Sequence, residues 1–170
     1  ILVCLVGSEM CIRDSGNGNQ MDTAFREGEG QYIHQQGPAP QQLAADGVGH
    51  VLAQLGPTIG ACGFSSLAAT PAWLATDTAR AFTRAYIKTR DYMNDASASE
   101  IAKAEKPLFP DIDLEVLTDC IATYQAMGCW TRHIDITQEG YDAMLDIFEY
   151  DGKLPYRYSY HQVCAPPPAI

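Results

Sequence analysis

The sequence predicts an α/β fold rich in helix, on three observations. Short apolar, β-prone runs punctuated by Gly and Pro occupy the first half of the chain. Amphipathic segments with recognisable caps fill the second half. No internal repeat organises either. The order is lopsided: strand, helix, strand over the first seventy residues is the texture of an α/β lobe, and four helices then follow with too few strands to cover.

The elements are expected as follows. Gly16 to Gln20 reads as loop, and Met21 to Glu27 as a short helix ended by Gly28 and Gly30. Gln31–Gln35 has β character and runs into Gly37-Pro38-Ala39-Pro40. Pro in a first turn suits a helix start, so Gln41–Ala45 is expected to turn helically before Gly47. His50–Leu55 reads as a strand closed by Gly56-Pro57, and Ala61–Ala69 as a third.

Beyond Pro71 the pattern is helical. The longest helix is expected over 72–93, capped by Thr76 or Asp77, with Ala79, Phe82, Tyr86 and Met93 on its buried face. Ser97 and Glu100 have the spacing of a capping box. Pro107 and Pro110 break the chain. Asp111 or Asp113 then caps a helix striped by Leu117, Ile121 and Tyr124 and stopped by Gly128. Thr137 opens a last helix that buries Tyr141, Met144, Leu145 and Phe148 before Gly152. Trp73 and Trp130 are read as anchors of helix ends, and Tyr156, Tyr158 and Tyr160 as a wall against the helices.

Composition excludes some functions. With 46% hydrophobic and 19% charged residues the chain can bury a core and is not compositionally disordered. A formal net charge of −10 argues against a nucleic-acid surface, which needs clustered Lys and Arg. The first apolar run, Ile1 to Ile12, is too short to span a bilayer and has no basic residue before it, unlike a secretory signal. The string CLVGSEMCIRDS resembles translated sequencing-adapter read-through. Residues 1–15 are therefore expected to have no fold of their own and to be foreign to the protein; a genuine N-terminal strand, ILVCLV, is the other reading.

Beyond them stand Cys62, Cys120, Cys129 and Cys164, at spacings that match no zinc pattern. A Cys120–Cys129 bridge is conceivable, but small hydrophobic filling is the better reading of all four. His34, His50, His133 and His161 are scattered, with no HxxxH or HxH. There is no P-loop, GxGxxG or Ser-His-Asp order, so no catalytic residue, metal ligand or cofactor is assigned.

Two segments are candidates for ligand binding. Gln36, Gly37, Ala39 and Gln41 lie where a strand is expected to give way to a helix. Free amides there favour an anionic or carbonyl group, Gly37 admits close approach, and Gln36 offers donors and acceptors. Pro38 and Pro40 lack N–H, which leaves the amides of Ala39 and Gln41. An ordinary Pro/Gly turn is the other reading. Phe64, Ser65 and Ser66 form the second candidate: the ring can stack on a ligand and the hydroxyls bond it. The serines bonding their own backbone is the alternative there.

The runs QYIHQQGPAPQQLAADGVGHVLAQLG, CGFSSLAATPAWLATD, AFTRAYIKTRDYM, EIAKAEKPLFPDID and IATYQAMGCW resemble the nitrate/sulfonate/taurine-type substrate-binding proteins. They are more similar to the branch with pyrimidine-precursor binders and thiamine-pyrimidine synthases. The resemblance, over about residues 21–168, implies the C-terminal fragment of a bilobal type II periplasmic-binding-protein fold. Residues 16–60 would end the second lobe, 61–70 would be a returning crossover strand, and 71–170 the helices returning to the first lobe. Apolar surface is then expected at Phe82, Leu117 and Ile121, where the first lobe's sheet would pack.

The implied function is the periplasmic solute-binding component of an ABC importer. It would close on a small polar or heteroaromatic solute, deliver it to permease subunits, and meet the membrane only through them. Gln36–Gln41 would form one wall of the cleft, with Phe64–Ser66 on the hinge. The synthases of this family carry consecutive cysteines before a phenylalanine, associated with iron. Here Ala61-Cys62-Gly63-Phe64 has one cysteine, so an enzyme of thiamine-pyrimidine synthesis is the second reading.

Overall fold

The computed structural model describes residues 17–63 and 65–170. The expectation for residues 1–15 lies outside the described residues, as does that for Phe64. Among the described residues the regular structure is helical: α1 (Gly18–Arg26), α2 (Ala39–Ala45), α3 (Gly56–Ile59), α4 (Pro71–Leu74), α5 (Asp77–Asp95), α6 (Ala98–Glu105), α7 (Leu114–Ala126), α8 (Gln138–Tyr150) and α9 (Tyr160–Val163). A 3₁₀ turn at Lys106–Leu108 continues α6.

The strand expectations at Gln31–Gln35, His50–Leu55 and Ala61–Ala69 are not met among these residues, and Gly56–Ile59 is helical where a strand end was expected. A ladder is a property of strand pairs. β-prone runs without a partner alongside have no hydrogen bonds with which to become strands.

The helix boundaries follow local chemistry. Thr76 accepts the amide of Ala79 at 3.1 Å and starts α5, separating it from α4, so the expected 72–93 helix is two pieces. Ser97 and Glu100 form the capping box of α6, with the Glu100 carboxylate taking both the Ser97 amide and hydroxyl. Thr137 accepts the Gly140 amide and opens α8. Gly128 ends α7 at φ 67°, a conformation that side chains resist, and the Cys129 amide then reaches the Tyr124 carbonyl at 3.2 Å. Two boxes of Asn/Ser-x-x-Gln form, Asn17–Gln20 on α1 and Ser159–Gln162 on α9, were legible by the same rule and not anticipated.

The core sits where α5, α6 and α7 meet. Met93, Ile101, Ala102, Leu117 and Ile121 form its buried cluster, with Ala96, Ala98, Ile112 and Trp130 packed on it. The Gln125 amide donates to the carbonyls of Met93 and Ala96 at 2.9 and 3.0 Å, so α7 closes the otherwise open end of α5. Lys106 donates to the carbonyls of Phe109, Pro110 and Ile112 and gathers the α6–α7 connection. α2 packs on α7 and buries Leu43, while α8 buries Tyr141 and Leu145 and packs with α9.

The face assigned to α5 is rotated from expectation. The buried positions are Ala79, Thr83 and Met93, whereas Phe82 is 45% exposed and Tyr86 half-buried. Thr83 can be buried because its hydroxyl bonds the Ala79 carbonyl one turn back, at 2.9 Å. Phe82 instead meets Trp73 edge-on and stacks on Tyr86, at centroid distances of 6.0 and 6.1 Å, on the outer flank. Trp73 is thus no core anchor, while Trp130 is, edge-on to Tyr124. Of the surface expected to be open, Phe82 is exposed, but Leu117 and Ile121 are covered by α6 and α5. Phe148 is likewise exposed rather than buried, and Met144 half-buried. Of the tyrosine series only Tyr160 forms a wall, with its hydroxyl on the Ile136 carbonyl; Tyr156 and Tyr158 are exposed.

Candidate functional site

Gln36 to Gln41 forms a turn into α2, with a cis Gly37–Pro38 bond, and rests on the side of α7. Gln36 is exposed and Gly37, Ala39 and Gln41 are half-buried. The Gly37 amide donates to the Tyr124 hydroxyl at 2.8 Å. A Cβ at Gly37 would stand 2.5 Å from Cys120 Sγ and 2.9 Å from the Tyr124 hydroxyl. The glycine therefore admits α7, and the amide expected to greet a ligand is taken by a side chain of the protein.

The Ala39 amide, also expected to be free, donates to the Gln36 carbonyl at 3.3 Å. What the turn retains for a ligand is the Gln41 backbone amide, which has no acceptor among the described residues, and its side-chain amides. Gln36 points its polar group to solvent-exposed surface, while Oε1 of Gln41 and Oε1 of Gln42 are buried acceptors with no partner among the described residues. The other end of Gln42 is fixed: its Nε2 donates to Asp46 at 2.8 Å.

Burial pushes the Cys120 thiol up to about 11, and the negative charges of Asp119 and Glu105 push the same way. Burial also raises the Tyr124 phenol, against the Gly37 amide, whose hydrogen bond favours the phenolate. Both groups are neutral at ordinary pH, a donor–acceptor seat and not a charged one. Tyr124 was placed on the α7 stripe by its spacing, but its partnership with Gly37 was not. The usable signal was that a tyrosine on a buried stripe needs a partner for its hydroxyl.

Gly63, just before the second candidate segment, sits on another helix. The Gly63 amide donates to the Gly140 carbonyl in the first turn of α8 at 2.8 Å, and a Cβ at Gly63 would lie 3.3 Å from that oxygen. Ser65 and Ser66 are exposed. The structure thus seats Gln36–Gln41 on α7 and Gly63 on α8.

Cys62, Cys120, Cys129 and Cys164 are all free thiols. Cys120 is the hydrophobic filler expected, but Cys129 is exposed. Among the described residues no three His, Cys, Asp or Glu side chains are grouped to hold a metal ion. A shallow depression lies along one flank of α5, lined by Ala85, Lys88, Thr89 and Tyr92 and by no residue of either candidate segment. No helix of the described residues is long and apolar enough to cross a membrane.

Comparison with known proteins gives one informative similarity. The chain is 27% identical over 142 residues to the Bacillus subtilis (strain 168) protein named "Putative binding protein YtlA". The match takes in 82% of this chain and 42% of that protein, so the chain spans less than half the length of this relative. No family model matches. No solved structure matches either.

Proposed function

We propose that the chain is part of the solute-binding component of an importer, and not an enzyme. The observation that carries this reading is the similarity to a protein named as a binding protein, extending over most of the chain. It agrees with the resemblance of the Gln31–Gly56 and Cys62–Asp77 runs to nitrate/sulfonate/taurine-type and pyrimidine-precursor binders. The finer reading is that the fold is a portion of a two-lobed α/β binding protein of type II. Residues 16–60 belong to one lobe, 61–70 to a crossover, and 71–170 return to the other lobe. The protein acts outside the cytoplasmic membrane and hands its solute to ABC permease subunits.

Binding in such a protein comes from lobes closing on the ligand, so that each wall supplies part of the desolvation and hydrogen bonding. On this reading the side chains of Gln36 and Gln41 and the hydroxyls of Ser65 and Ser66 reach the solute. The amides of Gly37 and Ala39 shape the turn. The test is calorimetry and thermal shift against small polar and heteroaromatic solutes, on this chain and on the longer open reading frame that contains it. A saturable rise in melting temperature that is much weaker in the shorter chain is expected. Turnover of any solute refutes the reading as a non-enzyme, and equal affinity in both chains refutes the two-lobed account.

A further inference from the structure

One long face of α5 stays exposed, and it is built as a trough. At about 100° per residue, Ala81, Ala85 and Thr89 follow one another along its floor, and all three are exposed. Phe82, with Trp73 against it, stands along one side. Arg84, Lys88 and Tyr92, all exposed, stand along the other. The depression lined by Ala85, Lys88, Thr89 and Tyr92 is part of this trough. A floor of Ala and Thr lets a second helix come close, because side-chain size at the contact sets the distance between helix axes.

The basic side of the trough is unspent. Arg80 bridges Asp77 at 2.5 Å, and Arg132 crosses to Asp91 and Asp95, which commits the acids of α5 to other bases. Arg84 and Lys88 make no ion pair or hydrogen bond among the described residues. In a chain of formal net charge −10 they form a local positive edge beside an apolar floor. The partner that fits has carboxylates along one edge of an apolar strip.

The chain itself contains such a strip. On α8, Glu139, Asp142, Asp146 and Glu149 follow one edge at spacings of three and four. Ile147 and Tyr150 lie beside them, 46% and 96% exposed. Arg157 bridges Asp146 and Glu149, but it is one base against four acids, so the edge stays negative.

We propose that α5 is a docking surface for a second copy of this chain. The α8 of that copy lies in the trough, with Ile147 and Tyr150 on the Ala81–Thr89 floor and its acids toward Arg84 and Lys88. The contact is heterologous: each copy offers one α5 and one α8, so copies add head to tail. Two copies repel through their net charge of −10, but that repulsion is screened beyond about 8 Å at physiological salt, and the charges brought into contact are opposite. One helix laid on another buries less than the roughly 1,200–2,000 Å² of a stable interface, so the association is weak and reversible. It is independent of solute binding.

The test is sedimentation equilibrium of the full chain over a range of concentrations. The weight-average mass is expected to rise with concentration without stopping at the dimer. Ala85→Glu puts a carboxylate on the floor, and Ile147→Glu puts one on the apolar strip. Both change exposed positions, and circular dichroism is expected to show both variants folded. Each alone is expected to weaken association at least about ten-fold. Mixed, they keep one intact α5 and one intact α8 between them, and are expected to form a 1:1 dimer that grows no further. A chain that stays monomeric at every concentration overturns the proposal. Association that ignores Ala85→Glu overturns it too, by placing the contact elsewhere, and a mixture that fails to dimerise breaks the pairing of α5 with α8. A longer reading frame that stays monomeric while this chain associates also overturns it, because the rest of that polypeptide then covers the trough.

Discussion

Replacing Gly37 with alanine places a methyl group 2.5 Å from Cys120 Sγ and 2.9 Å from the Tyr124 hydroxyl, against a van der Waals separation of about 3.5–4 Å. Cys120 is 4% exposed and held in the middle of α7, so the sulfur has little room to retreat. Over-packing of this kind costs about 1–3 kcal/mol. Displacing the turn also endangers the Gly37–Tyr124 hydrogen bond, worth about another 1 kcal/mol. Gly37→Ala is therefore expected to lower stability by about 2–3 kcal/mol in urea unfolding, with the denaturant slope unchanged. In a Cys120→Ala background the sulfur is gone and only the hydroxyl contact remains. The same substitution should then cost about 1–2 kcal/mol less, a coupling that a double-mutant cycle isolates. A glycine kept for a ligand predicts the opposite: no loss of stability in the free protein and no coupling to Cys120. A penalty below about 0.5 kcal/mol, equal in both backgrounds, refutes the claim that α7 dictates this glycine.

Three further outcomes are expected. Ile101, fully covered in the α5–α6–α7 cluster, should cost about 3–4 kcal/mol on truncation to alanine, while half-exposed Phe82 should cost about 1–2 kcal/mol; the reverse ranking in urea unfolding would restore Phe82 to the core. Iodoacetamide labelling near neutral pH, read by peptide mass spectrometry, should modify exposed Cys129 well before Cys120, whose thiol burial holds protonated up to about 11. Glu100 is held below its usual 4.5 by the Ser97 hydroxyl and then the Ser97 amide. Its contribution to α6 is thus present above pH 4.5 and lost as the pH falls through the folded-state value; Glu100→Gln should flatten that acid limb in thermal melts.

What the sequence disclosed were the features whose physics is local. Thr76, Ser97 with Glu100, Thr137, Gly128 and Gly152 each act through neighbours three to five positions away, and all mark the helix ends they were expected to mark. Tertiary partners were not legible in the same way. Phe82 is the largest apolar side chain near the middle of α5, which invites a buried assignment. The buried stripe runs through Thr83 because the helix backbone satisfies its hydroxyl. The β-prone runs were read as strands, but a strand needs a neighbour that no single segment encodes. Of the candidate site, the residue types were visible and their commitments were not. Gly37 and Tyr124 are 87 positions apart, and nothing in either neighbourhood announces the bond between them.

That bond changes how the turn functions as a piece of machinery. A loop whose amides are free is shaped by its ligand; one whose glycine is pinned to α7 is shaped in advance and loses less freedom on binding. The pin connects residues from 16–60 and 71–170, the two portions that the proposed two-lobed reading puts in different lobes. Any closing movement that separates or slides these portions must therefore either break the Gly37–Tyr124 bond or carry both partners together. The two routes give different results for Tyr124→Phe. If the partners move together, removing the hydroxyl leaves the Gly37 amide exchanging faster in the free and the solute-bound protein alike. If the bond breaks on closing, exchange at Gly37 rises in the free protein only, and solute affinity increases because closing no longer sacrifices a hydrogen bond of about 1 kcal/mol, a change of about five-fold. Because Cys120 fills the space beside the glycine and Leu43 anchors the following helix on the same face of α7, the first route is expected. Unchanged exchange at Gly37 in Tyr124→Phe, with or without solute, would mean that packing alone holds the turn and that the hydroxyl contributes nothing to its shape.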